Sequence, residues 1–207
     1  MPNHITNQIK LSGEDAEIHK LMETVRNDEL GHGTIDFNKI IPMPDTVYDG
    51  DLGPAEHEKY GYNNWYDWRI ANWGTKWNAY GYNEGEDYSC NKDSLRLLTA
   101  WSAPHAVLEK LSEMFPTVKI EHEWADEDIG VNCGRRTYYG GERTEEYYPD
   151  YGKESMEFAA KVSDVQLEED RGLYLNASET GYINIEYDDE HTPEQSEDEN
   201  IEMELKQ

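Results

Sequence analysis

Aliphatic side chains are scarce in this sequence of 207 residues, in which leucine, isoleucine, valine and phenylalanine total 35. So small a share, beside a formal charge of −27, is usually typical of a disordered chain. The sequence nevertheless contains 15 tyrosines and 6 tryptophans, and each such ring buries a large area when it is packed. We therefore expect a folded, strongly acidic protein whose core is rich in aromatic side chains.

Basic side chains are also few, with 18 lysines and arginines against 45 acidic residues. Binding to the phosphates of DNA or RNA relies on lysine and arginine to release counterions, so we expect no direct binding to nucleic acid. Docking on an anionic membrane is disfavoured for the same reason. The expected partners are neutral or basic surfaces, and attraction to them should be fast and sensitive to salt.

Only two cysteines are present, Cys90 and Cys133, and they lack the CxxC spacing of redox and zinc motifs. The simplest interpretation is two free thiols in a reducing compartment. No stretch approaches 18 apolar residues, and the N-terminal segment lacks the basic and apolar regions of a signal peptide. We therefore expect a soluble, cytoplasmic protein.

The first regular pattern is at residues 4–12, where apolar and polar side chains alternate as in a half-buried strand. Apolar residues at helical spacing predict a helix over about 14–29, and residues 34–41 are predicted to form a short second strand. The segment 45–93 breaks the pattern, because it is rich in glycine, asparagine, aspartate, tyrosine and tryptophan. Within it we predict a helix in the first part of 62–80, ending at Gly74.

Regular patterns return at 94–101, where Leu95, Leu97, Thr99 and Trp101 share one face of a predicted strand. The elements predicted after it are a helix at 103–115, a strand at 117–125, strand-like runs at 129–139 and 142–148 joined at Gly140 and Gly141, a helix at 153–163 and a pair of strands within 172–187.

The order strand–helix–strand, insertion, strand–helix–strand is that of the ferredoxin-like split βαβ unit. It predicts an α+β fold with an antiparallel sheet and both helices on one face of that sheet. A Trp-rich insertion and a C-terminal extension of hairpin and helix complete the prediction. The expected boundaries are a ferredoxin-like domain at 1–165, C-terminal strands at 166–187 and an acidic tail at 188–207.

The negative charge is concentrated in the C-terminal part of the chain. Residues 1–120 carry 11 basic and 19 acidic side chains, whereas residues 121–207 carry 7 and 26. Composition predicts that residues 188–204 are mobile. The acidic residues expected to face a partner are Asp126, Glu127, Asp128, Glu168, Glu169, Asp170, Asp188, Asp189 and Glu190.

Several short motifs resemble the YubB ferredoxin-like domain family, which is carried by phages, plasmids and mobile elements of bacteria. They are NHITN at 3–7, IIPMP at 40–44, WRIANWGTKWNA at 68–79, TAWSAP at 99–104 and GGE at 140–142. The resemblance covers roughly residues 1–165. It implies a ferredoxin-like fold and a mobile-element context, so that the cytoplasm expected above is that of a bacterial host, and it implies no activity and no catalytic residue.

The NWGTKW motif is the sharpest candidate site, because four tryptophans, Trp65, Trp68, Trp73 and Trp77, fall within 13 positions. One interpretation is a satellite core that covers the sheet or a helix. The other is a pocket that holds a planar ligand by stacking between rings, next to backbone N–H groups, a hydroxyl and an ammonium. Its residues would be Asn72, Trp73, Gly74, Thr75, Lys76, Trp77 and Asn78. Under the resemblance, Lys76 could equally pair with a carboxylate or a helix end.

A second candidate is the group of Arg135, Arg136 and Arg143 around the predicted hairpin. These arginines either pair with neighbouring glutamates as solvated ion pairs or form a small anion site. Among the histidines, the pattern predicts that His122 is a core residue and that His105 is exposed in the first turn of its helix.

Recognisable catalytic chemistry is absent from the sequence. No His/Cys spacing fits zinc, no EF-hand loop is present, and no nucleophile motif such as GxSxG occurs. We expect no metal and no cofactor, and whether the protein is an enzyme is left open.

The leading functional hypothesis is an accessory protein of a phage or other mobile element that acts by binding. Acidic residues on a rigid surface can imitate a phosphate backbone, so such a mimic would occupy the basic groove of a host defence nuclease, for example a CRISPR effector. Plain solubility is the simpler explanation of the charge. The alternatives are a nucleotide-sequestering protein that uses the NWGTKW motif, and an enzyme without a recognisable motif. The oligomeric state is open.

Overall fold

The computed structural model describes residues 2–82 and 93–184, which form two compact units divided between residues 165 and 166. Predictions made for Cys90, for the tail and for Asp188, Asp189 and Glu190 lie outside the described residues.

The first unit contains a five-stranded sheet and five α-helices within its described residues. In chain order these are β1 (His4–Ser12), α1 (Asp15–Val25), α2 (Pro54–Tyr60), α3 (Trp65–Trp73), β2 (Ser94–Ala100), α4 (His105–Met114), β3 (Lys119–Asp126), β4 (Gly134–Tyr139), β5 (Glu142–Tyr147) and α5 (Lys153–Ser163). A short 3₁₀ helix at Phe37–Lys39 lies between α1 and α2.

The sheet has the order β2-β1-β3-β4-β5, and every neighbouring pair is antiparallel. Strand β1, which lies between β2 and β3, aligns Ile5 with Thr99 on one side and with Asp126 on the other. The start of β1 and the ends of β2 and β3 therefore meet at one end of the sheet. The ferredoxin-like α+β fold predicted from the element order is confirmed.

The strand predicted at 34–41 is wrong. Residues 37–39 form the 3₁₀ helix instead, because the Asp36 side chain caps it by accepting a hydrogen bond from the backbone N–H of Asn38. The sheet position beside β2 is occupied by Tyr80, whose backbone exchanges two hydrogen bonds with Leu98, at 3.1 and 2.7 Å. The Trp-rich insertion thus supplies the edge that a ferredoxin-like second strand would form.

The main core lies on the face of the sheet that carries Ile9 and Leu11. Helices α1 and α4 both pack on this face, as the split βαβ pattern predicts. The buried side chains that build it include Leu21, Met22, Val25, Phe37, Trp73, Leu97, Val107, Leu108, Leu111, Ile120 and Tyr138. Aromatic rings therefore fill part of a core that is short of aliphatic residues.

Helix α5 packs on the opposite face of the sheet, against Ala125 and Cys133. Two side chains of that face hold its C-terminal end: Gln8 donates to the carbonyl of Val162 at 2.7 Å, and Arg96 donates to that of Ser163 at 3.0 Å. Because these two carbonyls lie in the last turn, no N–H group of the helix donates to them, and the strand side chains supply the missing donors.

The second unit, taken by itself, contains α6 (Leu167–Arg171) and a two-stranded sheet of β6 (Leu173–Leu175) and β7 (Tyr182–Asn184). The pair of strands predicted within 172–187 is present, although each strand is only three residues long. The Asn176 side chain stabilises the connecting turn by accepting from the backbone N–H of Thr180 at 2.9 Å.

The packing around β4 predicts that Gly134→Ala destabilises the protein. A Cβ at this position would lie 2.8 Å from the carbonyl oxygen of Tyr147 and 2.9 Å from the Trp124 ring. Because both neighbours are held by the sheet, we expect a loss of about 1–3 kcal/mol in the free energy of unfolding, measured with urea. Gly53→Ala is the control, since its Cβ would meet only the mobile end of the Glu56 side chain. Equal stability of the two variants would contradict the close packing.

Candidate functional site

Helix α3 positions the NWGTKW motif at the end of the sheet. The Asn64 side chain begins the helix by accepting from the backbone N–H of Asp67 at 3.0 Å. Gly74 ends it in the left-handed region at φ +77°, which glycine adopts without a steric penalty. The predicted helix end is therefore confirmed, and residues 75–78 turn back across the end of β2.

Four of the residues predicted for a pocket have structural roles instead. Trp73 is fully buried and donates its indole N–H to the carbonyl of Ile41. Asn78 accepts from the backbone N–H of Phe37 and donates to Asp36. The remaining two follow the same pattern: Asn72 donates to the Trp68 carbonyl, and Thr75 is fully buried.

Thr75 joins the insertion to β2 through a pair of reciprocal hydrogen bonds. Its hydroxyl donates to the carbonyl of Ala100 at 2.8 Å and accepts from the backbone N–H of the same residue at 3.0 Å. The next two residues of the motif are thereby held beside the end of β2.

Lys76 and Trp77 remain partly exposed and meet two further rings there. The Lys76 ammonium lies 4.9 Å from the ring centroid of Trp77, 5.0 Å from that of Trp101 and 5.9 Å from that of Tyr66. The Tyr66 and Trp101 rings meet edge to face at 6.1 Å. We call Tyr66, Lys76, Trp77 and Trp101 the aromatic patch.

The prediction that Trp101 continues the strand on the face of Leu95, Leu97 and Thr99 is wrong, because β2 ends at Ala100. The residue follows the strand at φ +70°, so its side chain leaves the alternation, and it is 39% exposed. A left-handed conformation at a bulky residue costs roughly 1–2 kcal/mol, so the surrounding structure must impose it. Its backbone N–H donates to the carbonyl of Asn3, and its own carbonyl accepts from Asn132 at 3.4 Å.

Acidic residues border the aromatic patch at the end of β3. Asp126 is only 6% exposed and accepts from the Asn3 and Asn132 side chains, so it supports the loop and is not an accessible carboxylate. Glu127 and Asp128 are exposed, and we call them the acidic rim. Glu127 lies near Tyr80, whose ring contacts Trp77. Burial, and secondarily the charge of Glu127, raises the pKa of Tyr80 to about 12.

Three further predicted acidic residues belong to the second unit. Glu168, Glu169 and Asp170 are exposed in α6 of the second unit.

The predicted arginine cluster is divided by the sheet. Arg135 and Arg136 are neighbours on β4, so their side chains point to opposite faces. Arg135 pairs with Glu123 at 3.9 Å, whereas the Arg136 guanidinium lies 5.6 Å from the Trp124 ring and donates to the Tyr148 hydroxyl. Arg135 and Arg136 therefore do not form a common anion site.

Two histidines, His105 and His122, pack against each other on the face of the sheet that carries Arg136. His122 is fully buried and donates from Nε2 to the Asn7 side-chain oxygen at 3.0 Å, as expected for a core residue. His105 shares a 3.0 Å hydrogen bond with the buried Tyr138 hydroxyl, so the expectation that it is exposed is wrong. Burial, reinforced by Arg136, lowers the pKa of His105 to about 3, and burial also lowers the pKa of His122.

Sequence reasoning missed Tyr66 and Trp101 as members of the site. The signal for Trp101 was its position at the end of a strand, three residues before Pro104, where alternation need not continue. Nothing comparable marked Tyr66, because contact between α3 and the end of β2 depends on the tertiary fold.

The described residues contain no group of three or more His, Cys, Asp or Glu side chains arranged to hold a metal ion. Helices in this part of the chain are also too short or too polar to cross a membrane.

Comparison with known proteins identifies one domain. Residues 73–175 match the family described as a ferredoxin-like domain in Api92-like protein. The match begins at Trp73 and covers β2 to β6, so it includes most of the aromatic patch and the acidic rim. No curated protein and no solved structure matches the chain.

Thr75→Val tests the link between the insertion and β2. The variant keeps the shape of the side chain but leaves the Ala100 N–H and carbonyl without their hydroxyl partner. We expect a loss of about 1–3 kcal/mol in the free energy of unfolding, because the site is fully buried. Thr24→Val removes an exposed hydroxyl from α1 and should change stability by less than about 0.5 kcal/mol. Similar urea midpoints for both variants would contradict the structural role of Thr75.

The histidine pair predicts a dependence of stability on pH. Both histidines are neutral in the folded protein, whereas in the unfolded chain they take up a proton below about pH 6.5. Stability is therefore fully present above that pH and falls as the pH decreases, by about 1.4 kcal/mol per pH unit for each histidine. His105→Gln should reduce this slope between pH 6 and pH 5 by about that amount, measured by urea unfolding. The exposed His57→Gln variant should keep the slope of the parent chain; an unchanged slope in His105→Gln would contradict the assignment.

Proposed function

We propose that this ferredoxin-like protein acts by binding a basic protein partner through the aromatic patch and the acidic rim. The exposed, left-handed Trp101 is the observation that carries the proposal. Backbone strain at a large exposed ring is maintained only when surrounding bonds enforce it, and such strain is concentrated at functional sites. Tryptophan and tyrosine rings are also the side chains that contribute most to protein interfaces.

The chemistry of the surface favours cationic partner groups. Tyr66, Trp77 and Trp101 offer ring faces, which attract ammonium and guanidinium groups. Glu127 and Asp128 add carboxylates that can pair with the same groups. The formal charge of −27 would accelerate the encounter with a basic partner and make it sensitive to salt.

A more specific proposal is that the partner is a nucleic-acid-binding enzyme and that the chain imitates its nucleic acid. The motifs that resemble the YubB family support a phage or mobile-element context, in a bacterial cytoplasm. A host defence nuclease such as a CRISPR effector has a basic channel of suitable chemistry. On this proposal the protein is an inhibitor that binds in or beside that channel.

Nucleotide sequestration is the second candidate, and the Lys76 ammonium between the Trp77 and Trp101 rings favours it. A base could stack there while the lysine contacts phosphate. The neighbouring Glu127 and Asp128 carboxylates repel phosphate, so we rank this candidate below a protein partner.

Affinity capture with Trp101→Gly tests the leading proposal. Glycine adopts φ +70° without strain, so this variant removes the ring and leaves the backbone conformation intact. We expect the full chain to capture a basic, nucleic-acid-binding protein from a bacterial lysate at low salt, and a DNA duplex to compete with it. The purified partner should bind Trp101→Gly at least about tenfold more weakly, as is typical of an interface hot spot.

Two controls define the surface in this experiment. Tyr151→Ala removes a 93% exposed ring from outside the aromatic patch and should leave the affinity unchanged. Glu127→Gln with Asp128→Asn should weaken binding more than Glu168→Gln with Glu169→Gln, which removes the same charge from the second unit. Equal losses in these two pairs would favour general charge attraction over the proposed surface. Capture of no basic protein at low or moderate salt would contradict the proposal.

A further inference from the structure

The Lys76 ammonium occupies a position that a foreign cation could take. Three rings, those of Tyr66, Trp77 and Trp101, lie within 6 Å of it, the distance at which a cation is attracted to an aromatic face. Among the described residues, the Lys76 ammonium contacts these rings and forms no ion pair with a carboxylate, although acidic residues are abundant in the chain. The arrangement has the composition of the aromatic cages that bind alkylammonium ligands.

We propose that Tyr66, Trp77 and Trp101 form a binding cage for a cationic group, and that Lys76 fills this cage until a ligand cation displaces it. The proposal rests on the proposed function, since it names the chemical group of the basic partner that the aromatic patch receives. That group is an ammonium or guanidinium at the end of a partner side chain. Lys76 is then a competitor built into the chain, and it sets the affinity of the site.

The backbone positions that carry the rings are held by contacts that do not involve the lysine, and the Tyr66 and Trp101 rings also contact each other. Backbone bonds to Asn3 and Asn132 fix Trp101, and the Thr75 hydroxyl bonds to Ala100 fix the turn that carries Trp77. Tyr66 belongs to the first turn of α3. The cage therefore persists when the ammonium leaves, and such preorganisation favours binding.

Lys76 itself can leave without a change in the backbone. Its ammonium is at the end of a flexible four-carbon stem, and lysine is only partly buried here. The exposed Glu127 and Asp128 directly follow β3 at the same end of the sheet, where they raise the local concentration of cations. An incoming cation thus meets a cage that is already formed, and the Lys76 ammonium that occupies it is its most mobile group.

The experiment uses choline as the cationic probe and 3,3-dimethylbutan-1-ol as its neutral isostere. Binding to the full chain is followed by tryptophan fluorescence at low salt. Lys76→Met removes the ammonium but keeps an apolar stem, so we expect choline to bind at least threefold more tightly than to the parent chain. Lys76→Arg retains a competing cation and should bind choline within twofold of the parent, whereas Trp101→Gly should weaken binding at least tenfold.

Lys59→Met is the matched control. Its ammonium lies 4.7 Å from the Tyr60 ring, outside the cage, so the variant removes the same charge next to another ring. Its affinity for choline should equal that of the parent chain, and the neutral isostere should not discriminate between any of these variants. Melting temperatures within a few degrees of the parent would verify that each variant is folded, and Tyr66→Leu replaces Trp101→Gly if the latter unfolds.

The outcomes separate the cage from the proposed function. Tighter choline binding to Lys76→Met, with loss in Trp101→Gly, supports the cage even if no basic protein partner is captured. Unchanged or weaker choline binding to Lys76→Met overturns the competitor role of Lys76, even if a captured partner still depends on Glu127 and Asp128. Equal gains in Lys76→Met and Lys59→Met would also overturn it, because they would reflect net charge alone.

Discussion

The reciprocal hydrogen bonds between the Thr75 hydroxyl and the backbone of Ala100 are the contact on which the site depends. They hold a glycine-ended helix turn against the last residue of β2, in an interior position where an unpaired N–H or carbonyl would be costly. Lys76 and Trp77 follow directly after this contact, and Trp101 follows Ala100. Two distant parts of the sequence thereby present their rings side by side.

Scarcity of aliphatic residues shapes both the core and the surface. Trp73, Phe37 and Tyr138 occupy interior volume that leucine and isoleucine fill in other proteins, and polar groups such as Asn7 and His122 are buried among them with hydrogen-bond partners. The other rings of the insertion are then available at the end of the sheet. One composition therefore explains an aromatic core and a partly exposed aromatic patch.

The proposed function depends on three features that lie together at the end of the sheet: aromatic rings, carboxylates and one lysine. Each of these features is common by itself on a protein surface. Their combination with a strained, exposed Trp101 is what favours recognition of a cationic group. Lys76, Trp77, Trp101 and the acidic rim lie within the region that matches a ferredoxin-like domain, so that scaffold would carry most of this surface on a loop and on strand ends.

The strand expected at 34–41 and the unpredicted helix α2 are exceptions, but the sequence by itself determined most of the element order, because alternation and helical spacing are local properties of the chain. Residues 4–12, the Gly74 helix end and the Gly140-Gly141 turn could be predicted in this way, and the ferredoxin-like class followed from their order. Only the tertiary structure decided that Trp101 is exposed, that Arg135 and Arg136 are divided between faces, and that His105 reaches Tyr138. These outcomes depend on a backbone rotation at one residue and on contacts between elements far apart in the chain. Local patterns carry no information about such contacts, because their energies arise only when the sheet is assembled.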